Sequence, residues 1–463
     1  MIASSPSFWA AAALSLAPSA LALVNYPIEF TEPKNILERT YNNVTIDAQQ
    51  TIIKWADMLD TRAVTNKDIL APSGDKHDYM SWKPYNWPDC SNVGNTTELT
   101  LEQQFKQCNF VNIDGKLNPA ARDIHNIEDF DEMANAVFLN SLAWGITRSG
   151  VYSQRVRKYI QTWFLNEDTY MNPNLKYAQL QGGPDGQHGT HTGILDLKSM
   201  AKIASGIILL RDGQSNEWDQ DTDTHFQDWC KNYTQWLTTD QQALDEKASP
   251  NNHGTYYYAQ LGSLYVIAND KDKAGETADE YFSTIYQGQI TQDGDQPLEH
   301  DRTRPYHYLT YNLAGAIAVG RIAEYAGKPQ WDKKASSGAG IQDACNYVMN
   351  FPPKEEAASE LWPYVAAVGS IYGDSDNKYS QWLQKSSDGS YFTDASYYWN
   401  QPLADGRIRP ERDAVTYAVD GGVRTLSVGE QPTAAPVSHG KNAAAKAGVS
   451  IGLVGAAFLA ALI

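Results

Sequence analysis

Apolar residues recur along most of this chain at helical rather than strand spacing. Over residues 128–147, Phe130, Met133, Ala134, Val137 and Leu142 share a face, and Glu128, Asp129 and Asp131 crowd the first turn, where negative charge suits exposed backbone N–H groups. Residues 153–165 repeat the pattern with Val156, Tyr159, Ile160, Trp163 and Phe164. Asp196 stands where a cap would start a helix carrying Met200, Ile203, Ala204, Ile207 and Ile208, and Phe226, Trp229, Tyr233, Trp236 and Leu237 form another apolar face. The same spacing predicts helices near 255–268, 275–287, 306–326, 338–350 and 361–372. Strand-like alternation is weak, and no repeat or linker divides residues 25–425. Short helices in succession, joined by Gly, Pro and Asn turns, predict a mostly α chain of stacked helical hairpins. One closed arrangement of such hairpins is an α/α toroid, with a cleft lined by inner helices and a site built by the loops at one end. Periodicity predicts the helices, not the closure.

With 42% hydrophobic and 20% charged residues in a chain of 463, composition fits a large buried core in one big domain or two medium ones, and with no clear internal linker residues 23–425 are expected to form a single domain. Both ends read as processing signals. The apolar run from Phe8 to Leu23 closes on Ala20-Leu21-Ala22, which predicts a secretory signal over 1–22, although its first residues lack Lys or Arg. After residue 425 a Ser-, Pro- and Ala-rich stretch, 426–446, reads as a disordered stalk. Residues 447–463 carry no charge and fit a GPI-attachment signal with small-residue sites near Ser438 or Asn442. A retained membrane helix is the alternative, but a stretch this short and rich in Ala and Gly is a marginal span. Export agrees with an even set of cysteines, Cys90, Cys108, Cys230 and Cys345, none in a C-x-x-C spacing. Two disulfides are expected, Cys90–Cys108 with Cys230–Cys345 being the simplest of the possible pairings. Sequons at Asn43, Asn95 and Asn232 suit glycosylation. The expected location is therefore secreted or at the cell surface, as a monomer touching a membrane only through an anchor. The net charge of −18 argues against nucleic acid as a partner. It also repels any anionic ligand, so a polyanion site here has to be locally basic.

Four segments interrupt the helical pattern with chemistry. Asp78 to Asp89 holds Trp82, Tyr85 and Trp87 with Pro84 and Pro88, a rigid aromatic loop suited to stacking on sugars or to anchoring itself. Met171 to Gln179 leads into a glycine-rich run with His188 and His191, ending at Asp196, whose following helix could turn free N–H groups toward an anion. Asn251 to Tyr256 contains Asn252 and His253, and Pro297 to Tyr308 contains Glu299, Asp301, Arg302, Arg304 and Tyr308. His188 and His191 have a spacing that can bind metal, but no third ligand accompanies them in sequence, and neither metal nor cofactor is expected.

Taken in order, the Asp78–Asp89 loop, the Met171–Gln179 run, His191-Thr-Gly-Ile with Asp196, Asn251-Asn252-His253 and the Glu299–Tyr308 segment resemble the alginate-lyase superfamily, specifically polysaccharide lyase families 5 and 38. The resemblance spans roughly residues 78–313. It implies a helical toroid, a metal-independent lyase, an anionic polysaccharide substrate, and a catalytic group of Asn252, His253, Arg302 and Tyr308. Substrate contacts are expected from Trp82, Tyr85, Trp87, His188, His191, Arg304, Tyr256 and Glu299.

Those residue types suit β-elimination on a 4-linked uronate such as alginate (polymannuronate) or glucuronan, which leaves an unsaturated uronate end. The C5 proton is barely acidic beside a charged carboxylate, so Arg302 and the Asn252 amide are wanted as donors to that group. Tyr308 can act as base and acid if a cation lowers its pKa from the ordinary value of about 10. His253 is then suited to assist it, as a base or by polarising Tyr308. Mannuronate and glucuronate present H5 and the C4 oxygen on one face, which a single tyrosine can serve. Guluronate puts them on opposite faces and needs His253 as a second group. The rival readings are a glycoside hydrolase on a similar toroid, which needs two flanking carboxylates, and a non-catalytic surface glycan-binding protein. In the plainest alternative, Arg302 and Arg304 merely pair with Glu299 and Asp301 on a solvated helix end.

Overall fold

The computed structural model describes residues 23–39, 45–59, 69–94, 99–184, 186–400, 414–419 and 422–427. The expected leader 1–22, the tail 447–463, Asn43 and Asn95 lie outside them. In chain order the helices are α1 (Pro33–Glu38), α2 (Ile46–Met58), α3 (Leu101–Gln107), α4 (Asn126–Thr147), α5 (Gly150–Ile160), α6 (Met200–Asp212), α7 (Gln220–Thr239), α8 (Gln241–Lys247), α9 (Asn252–Ile267), α10 (Lys271–Ser283), α11 (Pro297–His300), α12 (Pro305–Tyr325), α13 (Ile341–Asn350), α14 (Trp362–Tyr372), α15 (Lys378–Ser387) and α16 (Ala395–Trp399). The strands are β1 (Met80–Trp82), β2 (Asn86–Asp89), β3 (Asn109–Asn112), β4 (Tyr177–Leu180), β5 (Ala414–Val419) and β6 (Gly422–Ser427).

Helices α2, α4, α6, α9, α12, α14 and α16 pack each on the next, and α16 returns onto α2 to close the ring. Helices α5, α7, α10, α13 and α15 lie outside it, each against one or two inner helices. This is the α/α toroid. The division follows from sequence: α4, α9 and α12 are apolar or small on almost every face and are buried nearly throughout, whereas α5, α7 and α10 alternate buried and exposed positions. Gly315 allows the close contact of α12 with α9, because a β-carbon there would sit 2.8 Å from Thr255 Cγ2 and 3.0 Å from the Tyr256 ring.

The periodic segments became helices close to their expected bounds, with two differences. The 153–165 face splits into α5 and a wider π turn over Gln161–Leu165. Asp196 caps nothing: it lies in a 3-10 turn, His191–Leu197, and its buried carboxylate accepts from Tyr79 Oη at 3.2 Å, Gln179 Nε2 at 3.0 Å and Ser81 Oγ.

A small lobe is built from the chain between α2 and α4, with β4 added from beyond α5. β1 pairs in parallel with β4, β2 pairs antiparallel with β3, and Trp82, Phe105, Met80, Leu180 and Ile124 form a separate apolar cluster. Cys90 and Cys108, just beyond the ends of β2 and β3, are joined by a disulfide. The second expected disulfide is absent: Cys230 and Cys345 are free and buried. Cys230 belongs to α7, which packs on α9, while Cys345 belongs to α13, which packs on α12 and α14, so different inner helices hold the two thiols. β5 and β6 form an antiparallel hairpin that crosses the expected domain end at residue 425. Asn232 is exposed on α7. No helix among the described residues is long and apolar enough to cross a membrane.

Candidate active site

A cleft opens where the small lobe meets one end of the helical ring. The lobe contributes Lys83, Pro84 and Tyr85 from the β1–β2 connection, Asn112 and Asp114 from the end of β3 and beyond, and Gln179 from β4. The ring contributes Thr192, Asp196 and Lys198, then Asn252 and His253 from the first turn of α9, Arg302 from the link between α11 and α12, and Tyr308 and Tyr311 from the start of α12. The four residues expected to carry catalysis therefore share one cavity.

The first turn of α9 is held by two buried acids. Its N-terminal N–H groups have no partner within the helix, and Asn251 offers no side-chain cap. Glu299, brought from α11, caps it instead: Oε1 accepts the Asn252 backbone N–H at 2.6 Å and Oε2 accepts the Asn252 amide at 2.6 Å. Burial raises the Glu299 pKa against the opposing pull of those bonds. Glu299 thus positions Asn252, and one hydrogen of the amide is committed to it. One residue on, His253 points to Glu246 of α8, its Nδ1 2.7 Å from Oε1. His191 Nδ1 lies 2.6 Å from the other oxygen of the same carboxylate. Burial pushes the Glu246 carboxyl up, but the two imidazoles together hold it below its ordinary range, and the same hydrogen bond raises His191.

On the opposite wall, Arg302 Nη2 donates to Tyr308 Oη at 3.0 Å and to Asp114 Oδ1 at 2.9 Å, and its guanidinium carbon lies 3.9 Å from the Tyr308 ring centroid. Gly115, at φ +70°, lets the chain after β3 come this close, since a β-carbon there would meet Thr303 Oγ1 at 2.5 Å. Tyr308 does not have the depressed pKa expected of it. Burial raises it strongly, Tyr85 adds to the rise, and the pull of Arg302 is weaker than both. Burial thus keeps Tyr308 a phenol.

The local positive charge that a polyanion requires comes from Lys83, Lys198 and Arg302, set against Asp114 and Asp196. The two lysines carry no sequence motif and were not expected. Lys198 is buried 3.6 Å from Asp131. Lys83 has no ion pair among the described residues, and burial lowers its pKa. Burial also carries Asp196 up to about 6, against the hydrogen bonds from Ser81 and Gln179, which weakens its negative field in the cleft.

Several expected substrate contacts lie elsewhere. Trp82 is buried and stacks on Phe105 at 4.8 Å, anchoring the lobe. Trp87 donates Nε1–H to the Lys116 carbonyl and is covered on one face by the Lys116 ammonium, and it does not line the cleft. Tyr256 is buried, stacked on Tyr311 at 4.1 Å with its hydroxyl on the Tyr311 carbonyl. Arg304 pairs with Glu356 and Glu360 rather than with a ligand site or with Glu299 and Asp301. His188 is exposed outside the cleft lining. Tyr85 alone of the loop aromatics lines the cavity. His191 joins the site through Glu246. With His253 it completes a set of metal-ligand types whose atoms lie within 4.8 Å of one another, which the spacing of His188 and His191 did not reveal. Each Nδ1 of the set is, however, hydrogen-bonded to a carboxylate oxygen.

A family model described as alginate lyase matches residues 63–358. No curated protein matches. Among solved structures, the chain is similar to an alginate lyase from Bacteroides ovatus, with 24% identity, a TM-score of 0.68, and 80% of this chain and 96% of that one covered. That likeness is one of fold. Alginate lyase A1-III from Sphingomonas species A1 is more distant, with 14% identity, a TM-score of 0.40, and 67% and 78% covered.

Proposed function

This chain belongs to the alginate lyase family, and from that premise we propose that it is a polysaccharide lyase that opens a 4-linked polyuronate, polymannuronate-type alginate or glucuronan, by β-elimination in the cleft between Lys83 and Tyr308. The observation that carries the reading is the convergence of Arg302, Tyr308, Asn252 and His253 on one cavity that Lys83 and Lys198 also line. A uronate carboxylate entering it takes the place of Asp114 on Arg302, with the remaining Asn252 amide hydrogen and the lysines adding positive potential. Matching that charge makes the C5 hydrogen removable. Because Tyr308 holds its proton, its work as a base begins by passing that proton to His253 Nε2. The phenolate takes the C5 hydrogen, its bonding electrons form the C4–C5 double bond as the C4–O bond breaks, and the phenol returns the proton to the leaving oxygen. This serves mannuronate and glucuronate, whose two groups share a face. For guluronate His253 is itself the base.

A hydrolase would need two carboxylates flanking the bond, and the acids here are engaged: Glu299 by Asn252, Glu246 by two imidazoles, Asp114 by Arg302, and Asp196 by Tyr79, Ser81 and Gln179. The test is incubation with polymannuronate, polyguluronate and glucuronan, following the near-ultraviolet absorbance of unsaturated ends. Tyr308→Phe is expected to lower turnover about 10³-fold while oligosaccharide binding survives. New reducing ends without absorbance, or a Tyr308→Phe protein as fast as wild type, contradict the reading. Secretion or display at the cell surface is supported by the Cys90–Cys108 disulfide and the exposed sequon at Asn232.

A further inference from the structure

Glu246 is a fully buried carboxylate that no step of the elimination uses. Its neighbour Lys247 does not neutralise it, since that ammonium pairs with Glu280 at 2.7 Å. Removing a carboxylate from water costs several kcal/mol unless hydrogen bonds replace its hydration, and the core gains nothing from an acid at this point. What Glu246 has instead is one imidazole on each oxygen, His253 on Oε1 and His191 on Oε2. α8 carries it into the angle between α9 and the His191–Leu197 turn, both of which α8 contacts.

We propose that Glu246 is the positioning residue for His253, holding that imidazole with its proton on Nδ1 and its free nitrogen, Nε2, available to the cleft, and that His191 is the second donor that fixes the carboxylate in the orientation this requires. An ionised carboxylate only accepts, so a nitrogen 2.6–2.7 Å from each oxygen must carry hydrogen. A neutral imidazole with hydrogen on Nδ1 leaves Nε2 as acceptor. Free histidine side chains populate both tautomers, and the one with hydrogen on Nε2 would set a bare Nδ1, lone pair against lone pair, 2.7 Å from Glu246 Oε1. The carboxylate thus selects the form able to take a proton, in the way a buried acid orients a catalytic histidine elsewhere. Loss of Oε2's partner would let the carboxylate rotate away from Oε1's. A transition-metal site is the competing account of the same donors, but the separations are hydrogen-bond lengths and each Nδ1 already faces an oxygen. The inference rests on the reading of His253 as proton acceptor, and the measurements below separate the two.

In histidine labelled with ¹⁵N, long-range ¹H–¹⁵N correlation reports directly which ring nitrogen bears hydrogen. For the intact wild-type chain His253 is expected to show a protonated Nδ1 and a bare Nε2, and the opposite pattern overturns the proposal. Glu246→Gln offers a single acceptor oxygen, so one ring loses its partner. This variant is expected to lower kcat about 10- to 100-fold with KM within about threefold. In a His253→Ala background the same change is expected to add no more than about twofold, whereas independent, multiplying losses overturn the proposal. His191→Gln, which still donates to Oε2, is expected to keep kcat within about threefold while His191→Ala loses about tenfold, and equal loss in both denies His191 its role. Should chelator-treated protein regain activity only with one Zn²⁺ per chain, the cluster is a metal site and the proposal falls. A wild-type chain with the expected ¹⁵N pattern but no turnover on any polyuronate defeats the functional reading and leaves the tautomer assignment standing.

Discussion

Arg302 grips Tyr308 in two ways at once, its Nη2 on the phenol oxygen at 3.0 Å and its guanidinium carbon 3.9 Å from the ring centroid. The plane of the guanidinium is what makes both possible, with a further N–H left for Asp114. An ammonium provides one point of charge and no stacking face. Arg302→Ala is expected to lower kcat/KM about 10²- to 10³-fold, and Arg302→Lys to recover less than a tenth of that loss. The rate of formation of unsaturated ends on the preferred polymer measures both. A rate within a few-fold of wild type in Arg302→Ala removes it from the mechanism.

Asp114 competes for the same guanidinium. It sits beyond β3, lines the cleft, and its side chain is 40% exposed, so the pair is partly screened and worth about 0.2–1 kcal/mol. A substrate carboxylate must displace it. Asp114→Asn keeps the shape and removes the competing charge, and is expected to lower KM about two- to fivefold with kcat little changed. The difference from wild type should shrink as salt is added. An increase in KM would instead make Asp114 a substrate contact.

What the sequence disclosed and what it hid divide along the reach of local pattern. The inner helices were legible because α4, α9 and α12 carry their burial in their own spacing, and Asn252, His253, Arg302 and Tyr308 were singled out only by a family resemblance carried by five short segments in one order, none of them telling by itself. Glu246 was not. It lies in Gln-Gln-Ala-Leu-Asp-Glu-Lys, which reads as a solvated charged turn of helix, and only the folding of α8 against α9 and residue 191 gives it two imidazoles. Lys83 and Lys198 were hidden for the same reason. Aromatic side chains misled in the other direction: a tryptophan that stacks on Phe105 and one that stacks on a sugar have the same letter and the same proline neighbours, and Trp82 is the former. Closure of the ring rests on α16, a single turn and a half against α2, which no periodicity could announce.

The cysteines yield a prediction about chemistry rather than catalysis. Burial raises both free thiols, Cys345 to about 12 and Cys230 well above its ordinary value, so neither forms appreciable thiolate at neutral pH. Native protein is expected to resist a thiol reagent, and two thiols should appear per chain on unfolding without reductant. Four, or none, would contradict the pairing seen here. Reduction or Cys90→Ser is expected to loosen the β2–β3 hairpin first, by up to about 3 kcal/mol for a loop of this length, and so to raise KM before the helical ring melts.

Stability should fall with rising pH near neutrality, and Glu29 gives the reason. Its carboxylate is 3% exposed inside the ring, 3.8 Å from Arg321, and Oε1 has no hydrogen-bond partner among the described residues. Burial carries its pKa from 4.5 up to about 7, only partly offset by Arg321 and Lys202. Between those two values the folded chain holds a proton that the unfolded chain has released. The slope of unfolding free energy with pH follows protons bound in the unfolded state minus those in the folded state, which is negative here. The stabilisation from this group is therefore fully present below about pH 4.5 and is lost as pH rises through about 7, an effect of order 1–3 kcal/mol. Glu29→Gln has no proton to lose, so its denaturant midpoint is expected to decline less than that of wild type between pH 5 and 8 (a window of about three units set by the same linkage). Identical slopes in the two proteins would mean that Arg321 keeps Glu29 ionised throughout, and that the ring buries an ion pair instead of a neutral acid beside a cation.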